Sequence, residues 1–391
     1  MQKGGSKNQK SRYTQSGVPA HRTPGGKRRS NAPKIILRVL QVAAVVTVLI
    51  LAIVFVPRLF SQSGDPKRLN AHPTDNIQAF GEDVLIYDGV VLSCIGTNGT
   101  AKWQVNIGTD GDYYTKGSMI VAWSGTRLQV INKNGQFTFN DHMDGTVLFA
   151  RVGDGGVAVC MGDELNSVVR VMTHTGTVLE TINTFEDLYV LDIGFFTASG
   201  NLMWVLTLDI NGNSPISKLA TYDPGKMSTG AVELQDELVY GIYVHNSNLM
   251  VVDTTRIRTY NYKCVEQTDI SSILVYGWQV RQDRAIGRNT YVLLEQLPGS
   301  TSSDTFTEVR LITNYDTQSY RTPVACFASG ISDKGVYAFD RQVVYFAPFG
   351  SKAFTKSMPI PYPVTDFVCM LEKSRAVIVS GSDVYMITLP E

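Results

Sequence analysis

Beyond residue 82 the chain is written in short apolar runs. Four or five residues rich in Val, Ile, Leu, Met and aromatics are followed by a turn signal and then a second run, as in Met119-Ile120-Val121-Ala122-Trp123 and Leu128-Gln129-Val130-Ile131. Runs of this length and composition, bounded by Gly, Asn, Asp or Pro, predict strands. No stretch carries the i, i+3, i+4 spacing of a convincing amphipathic helix. Eight such pairs occur, with first runs beginning near residues 83, 119, 156, 202, 248, 290, 335 and 376. The second run is often followed by a turn: Thr97-Asn98-Gly99, Asn132-Lys133-Asn134-Gly135, Thr175-Gly176, Asp223-Pro224-Gly225 and Pro348-Phe349-Gly350. At Asn134-Gly135 the pattern predicts a type I′ turn, since both residues tolerate positive φ.

The steps between units are 36, 37, 46, 46, 42, 45 and 41 residues. A strand-and-turn period of roughly 40–45 residues is that of a β-propeller, one four-stranded blade per repeat. The expected fold is therefore all-β: a single propeller of eight four-stranded blades, or seven if one hairpin is an insertion, preceded by one transmembrane helix. A further run before several hairpins, such as Leu238 to Tyr243, suits the innermost strand. The final unit stops at Thr388-Leu389-Pro390-Glu391, straight after its third strand, and Lys67 to Ala71 is free to supply the missing outer strand. Such a closure would remove exposed sheet edges.

Charge and hydropathy divide the remainder. Ten Lys or Arg and no acid precede residue 39, whereas all 35 Asp and Glu lie from Asp65 onward against 25 Lys and Arg. Between them Val39 to Val56, VLQVAAVVTVLILAIVFV, has 18 residues without a charge. At about 1.5 Å per residue this covers roughly 27 Å, close to the hydrocarbon thickness of a bilayer. The basic flank predicts a cytoplasmic N-terminus and an extracytoplasmic C-terminal portion. A cleaved signal sequence is the rival reading, with small residues at Ser61-Gln62-Ser63. The apolar run exceeds the usual h-region of about 7–15 residues, which favours a retained anchor. The expected organisation is a disordered basic arm over 1–34, a signal anchor over 35–58, a linker with a ring-closing strand over 59–75, and the propeller over 76–391. The arm's composition is that of a disordered segment, and beside a span it reads as a topology signal attracted to anionic lipid, not a nucleic-acid site.

Candidate chemistry is sparse. Cys94, Cys160, Cys264, Cys326 and Cys369 are odd in number, lack C-x-x-C spacing and read as small buried hydrophobes. The five histidines stand apart, and no hydrolase, P-loop, zinc or dinucleotide motif appears. No catalytic residue, metal or cofactor is therefore expected. Acids stand before several expected inner strands: Asp112, Asp144, Asp187, Glu237, Asp269 and Asp366. Gathered around a central channel, they would form an acidic funnel for a cation or a basic partner. The competing reading is that each is a turn residue.

Gly99-Thr100-Ala101-Lys102-Trp103 resembles the tail of the tryptophan-docking repeat of quinoprotein propellers, in which each Trp packs on a neighbouring blade. It occurs once, and Ile95 stands where that repeat has Asp. With the basic arm and anchor, the chain from Lys34 to Glu391 resembles the membrane-anchored, quinoprotein-like (PQQ-like) propeller proteins of Gram-positive bacteria. That resemblance implies a non-enzymatic scaffold binding a protein or an envelope polymer at the outer face of the membrane. A propeller enzyme acting on glycans or using a quinone, and a ligand sensor, are the alternatives. The bilayer, through the single span, is the other expected partner.

Overall fold

The computed structural model describes residues 66–391 apart from 198–199, 235–237, 288 and 298–304. The basic arm and the expected span Val39 to Val56 lie outside the described residues. Among the described residues no helix is long and apolar enough to cross a membrane.

These residues form eight four-stranded antiparallel sheets, each a meander of sequence-adjacent strands except at the closure. With A the innermost strand, blade 1 runs over 76–106 and blade 8 opens with Asp366–Leu371. The eight predicted hairpins are the B–C pairs of the eight blades. Blade 8 has strands A to C at the C-terminus, and its outer strand is Lys67–Leu69, which pairs antiparallel with Asp383–Thr388. Arg68 Nη2 adds an ion pair to Asp383 Oδ1 at 2.6 Å. The propeller thus begins at Lys67, nine residues before Asn76, where strand A of blade 1 starts.

Eight separate hydrophobic clusters hold the ring, one at each boundary between neighbouring blades. In blade 2, Ile120 and Ala122 face blade 1, while Val121 and Trp123 face blade 3. Alternate side chains of a strand point to opposite faces, so a blade clasped on both sides must be apolar at both. This is why strands B read as unbroken apolar runs. The cluster holding Leu69, Ile77, Val84, Val377 and Val384 joins blade 8 to blade 1 and completes the circle.

The recurring turns have a second role. At Asn132–Gln136 the Asn132 N–H donates to Gln136 O and the Gly135 N–H to Asn132 O, each at 2.9 Å. Gly135 has φ +77, but Asn134 is not among the positive-φ residues. The turn is therefore type I followed by a left-handed glycine and a register shift, not type I′. The Asn132 side chain explains the difference: its Oδ1 accepts the Asn134 N–H at 2.9 Å and the Gln136 N–H at 3.2 Å, stabilising the tighter first half. The same backbone pattern returns at Gly96–Thr100, Thr173–Thr177 and Asn261–Val265. The preceding blade needs Gly135 and Gly176 too. A Cβ on Gly135 would lie 2.6 Å from Trp103 Cγ, and one on Gly176 would lie 2.2 Å from Phe139 Cδ2. Trp103 Nε1 donates to Lys133 O at 2.9 Å. The outer strand of one blade therefore docks on the C–D turn of the next, as the Gly99–Trp103 resemblance implied for that tryptophan.

Candidate functional site

Antiparallel order fixes which connections share an end of the ring. The D–A connections and B–C turns lie at one end, here called upper, and the A–B and C–D turns at the other. Asp112 and Asp366 open inner strands Asp112–Lys116 and Asp366–Leu371, so both sit at the upper end, as do Asp144 and Asp187 in their D–A connections. They are not gathered into one group. Asp112 accepts from Asn76 Nδ2 at 3.2 Å, and Asp144 turns to Arg170 Nη2 at 2.8 Å. Asp187 adopts φ +59 as a turn residue, and its carbonyl accepts from Asn211 Nδ2. Asp269 belongs elsewhere: it precedes Ile273–Leu274, the short outer strand of blade 5, and so lies toward the rim. Glu237 lies outside the described residues. Among the described residues no group of three or more His, Cys, Asp or Glu is placed to hold a metal.

A large cavity lies at the other end of the channel. It has a volume of about 550 Å³ and is walled by the second halves of inner strands and the turns that follow them. Its charged groups are Lys116, Arg151, Asp192, Asp283, Arg284 and Glu372, three cations and three acids. Arg151, in strand Val147–Val152, reaches Asp192 Oδ1 on the neighbouring strand Tyr189–Phe195 at 2.9 Å. Its guanidinium lies 4.8 Å from the Tyr114 ring centroid and 5.2 Å from that of Phe149. Arg284 Nη1 donates to Ile331 O at 3.4 Å. Gly194 leaves room for Trp204 beneath the wall, since a Cβ there would meet Trp204 Cζ2 at 2.5 Å.

The enclosure shows in the titrating groups. These side chains are accessible to solvent from the channel yet surrounded by protein, which disfavours their charged forms. Burial raises the Asp192 carboxyl against the pull of Arg151, and raises Asp283 against that of Lys116. Burial likewise lowers Lys116, opposed by Asp283 and Asp154. Burial pushes the Tyr114 phenol up to about 12 and raises Tyr243 as well. The array can hold charge, and its charges are unequally partnered: Arg151 has Asp192 and Arg284 has Ile331 O.

Sequence reasoning missed this site because its members fall on eight different segments. The one local signal was a charged residue in or just after strands otherwise apolar and aromatic, such as Tyr113-Tyr114-Thr115-Lys116. The cysteines are buried or partly buried, as their apolar setting indicated, whereas His245 sits inside the fold and not on a loop. His245 is 1% exposed, its Nδ1 taking the Thr290 N–H at 2.9 Å. All five cysteines are free, and burial pushes Cys94, Cys326 and Cys369 up to about 12.

The closed ring of four-stranded blades defines a β-propeller. Among solved structures it is similar to apo AztD from Citrobacter koseri, with a TM-score of 0.50 at 9% identity over 76% of this chain and 88% of that one. BamB from Moraxella catarrhalis gives 0.48 at 11% identity over 84% and 99%. The dihydro-heme d1 dehydrogenase NirN, in complex with DHE, gives 0.49 at 10% over 84% and 78%. At these identities the likeness is one of fold. No family model matches the chain, and no curated protein does.

Proposed function

We propose that the chain is a membrane-anchored, extracytoplasmic binding module that holds a protein or envelope polymer without transforming it. The observation that supports this reading is a group of large apolar side chains exposed at the upper end of blades 5 and 6. Tyr276 is 82% exposed and Leu274 72%, with Leu238, Tyr240 and Leu297 also exposed. Backbone bonds from Tyr240 to Val252, Val275 to Thr255 and Leu297 to Gly277 tie these segments to the B–C side of their blades. Aromatic and aliphatic side chains held out on a rigid sheet lose little conformational freedom on binding and serve as anchors.

Site-specific photo-crosslinking of the full-length protein in its own membrane tests this. A photoreactive residue at Tyr276 should give a discrete adduct with a cell-envelope component, lost when Leu274 and Tyr240 are changed to Ser. The same probe at Asn134, an exposed turn at the lower end, should give none. Identical adducts from both positions, or none from Tyr276, would sink the reading.

A further inference from the structure

The six charges of the lower cavity are unequally provided for. Arg151 and Asp192 form an ion pair, and Arg284 is held on Ile331 O with Glu372 and Asp333 near. Lys116 and Asp283 remain. They stand on blades 2 and 6, four apart in an eight-bladed ring and so on opposite walls of the channel. They attract one another across it, but among the described residues they make no ion pair with each other. Among the described residues, Asp283 and Asp154 act on Lys116 at a distance, the Asp283 carboxylate takes its own backbone N–H, and both side chains are open to the channel.

We propose that this cavity is a binding site for a small zwitterion, an amino acid-like molecule whose carboxylate meets Lys116 and whose ammonium meets Asp283. Three features lead to this class. An enclosed charge without a partner is unfavourable, so each wall calls for the opposite sign. The six facing charges sum to zero, so a simple anion on Lys116 would add repulsion at Asp283, and a simple cation the reverse. A molecule carrying both signs satisfies both walls and leaves the channel neutral. The volume, about 550 Å³, is within the range that takes small molecules. Tyr114 and Tyr243 on the same walls give the connecting carbons aromatic surface to lie against. This site is separate from the upper-end surface proposed above, and neither depends on the other.

The test is calorimetric titration of the full-length protein in detergent micelles with γ-aminobutyrate, δ-aminovalerate and ε-aminocaproate, and with caproate and hexylamine as singly charged controls. One ω-amino acid is expected to bind. Lys116→Met and Asp283→Asn should each weaken it about ten- to hundred-fold, the loss of one charge-assisted hydrogen bond. The singly charged compounds should bind worse by a similar factor. No binding of any ω-amino acid, or binding that survives in both variants, would overturn the proposal. Should a neutralised variant fail to show a thermal transition, Asp283→Glu and Lys116→Arg carry the test instead. Each narrows the gap and should shift preference toward the shorter ligand, and an unshifted preference counts against the site.

Discussion

Replacing Gly135 by alanine would test whether the recurring glycine turns serve the turn itself or the blade that docks on it. Two terms contribute. The backbone at φ +77 disfavours any Cβ, by about 1–2 kcal/mol. The new methyl would also stand 2.6 Å from Trp103 Cγ, so the indole must move, at about 1–3 kcal/mol for an overpacked contact. Gly125 in the same blade isolates the first term, because its φ is +58 and a Cβ there would meet nothing within 4 Å. For the unit Gln62–Glu391, an unfolding entropy of about 2.1 cal/mol/K per residue sums to roughly 0.7 kcal/mol/K. Each kcal/mol then moves the melting temperature by about 1.5 °C. Gly125→Ala should lower it by about 1.5–3 °C and Gly135→Ala by about 3–7 °C, read by differential scanning calorimetry on the full-length protein. Trp103→Ala placed on top of Gly135→Ala should restore part of the loss, because the two positions touch and their effects do not add. Equal losses for the two glycines would refute the docking argument.

Other outcomes follow from the same geometry. Leu69→Ala in the ring-closing strand removes a side chain 3% exposed and should lower stability by about 2–5 kcal/mol, whereas Arg68→Ala, which breaks a solvent-exposed ion pair, should remove less than about 1 kcal/mol. Denaturant midpoints that rank them the other way would mean the closure is not hydrophobic. Burial lowers the His245 pKa from its ordinary 6.5, so the folded chain resists the proton that the unfolded chain accepts. Stability should therefore fall as pH drops through about 6.5 and level off below the folded value. Urea midpoints between about pH 8 and pH 5 should show this slope reduced in His245→Asn, and an unchanged slope would remove His245 as its source. The native protein should react slowly with Ellman's reagent, Cys369 first as the one thiol that is partly accessible, and rapid modification of any other cysteine would contradict the burial described.

How much of this was legible depended on how many sides of a strand are covered. Strands B and C lie between two neighbouring blades, so both faces must be apolar, and all eight hairpins could be read directly. The closing strand was legible by subtraction, because the last unit ends at its third strand and Lys67 to Leu69 precedes the first blade. Outer strands have one covered face and an irregular edge. That of blade 5 shrinks to Ile273–Leu274 after a long connection, so Asp269 was read as preceding an inner strand when it belongs to the rim. The turn at Asn134-Gly135 was misread because its shape is decided by Asn132, two residues earlier, whose side chain takes two backbone N–H groups. The cavity charges were invisible because Lys116 and Asp283 are far apart in the chain and come to face one another only when the ring closes.

The strand at Lys67–Leu69 also sets a timetable for biosynthesis. Its partner is made much later: Arg68 and Asp383 are 315 residues apart. At about 5–20 residues per second, roughly 15–60 s of synthesis separate the two halves of that sheet. During this interval the growing array presents an unsealed edge at each end, and residues near Lys67 have no strand to join. Each later blade can settle against its predecessor, but blade 1 must wait until blade 8 has been made before its neighbour on that side exists. Chains cut short within the blade 8 hairpin would therefore be open arcs and not smaller rings, because the strand Lys67–Leu69 would have nothing to pair with.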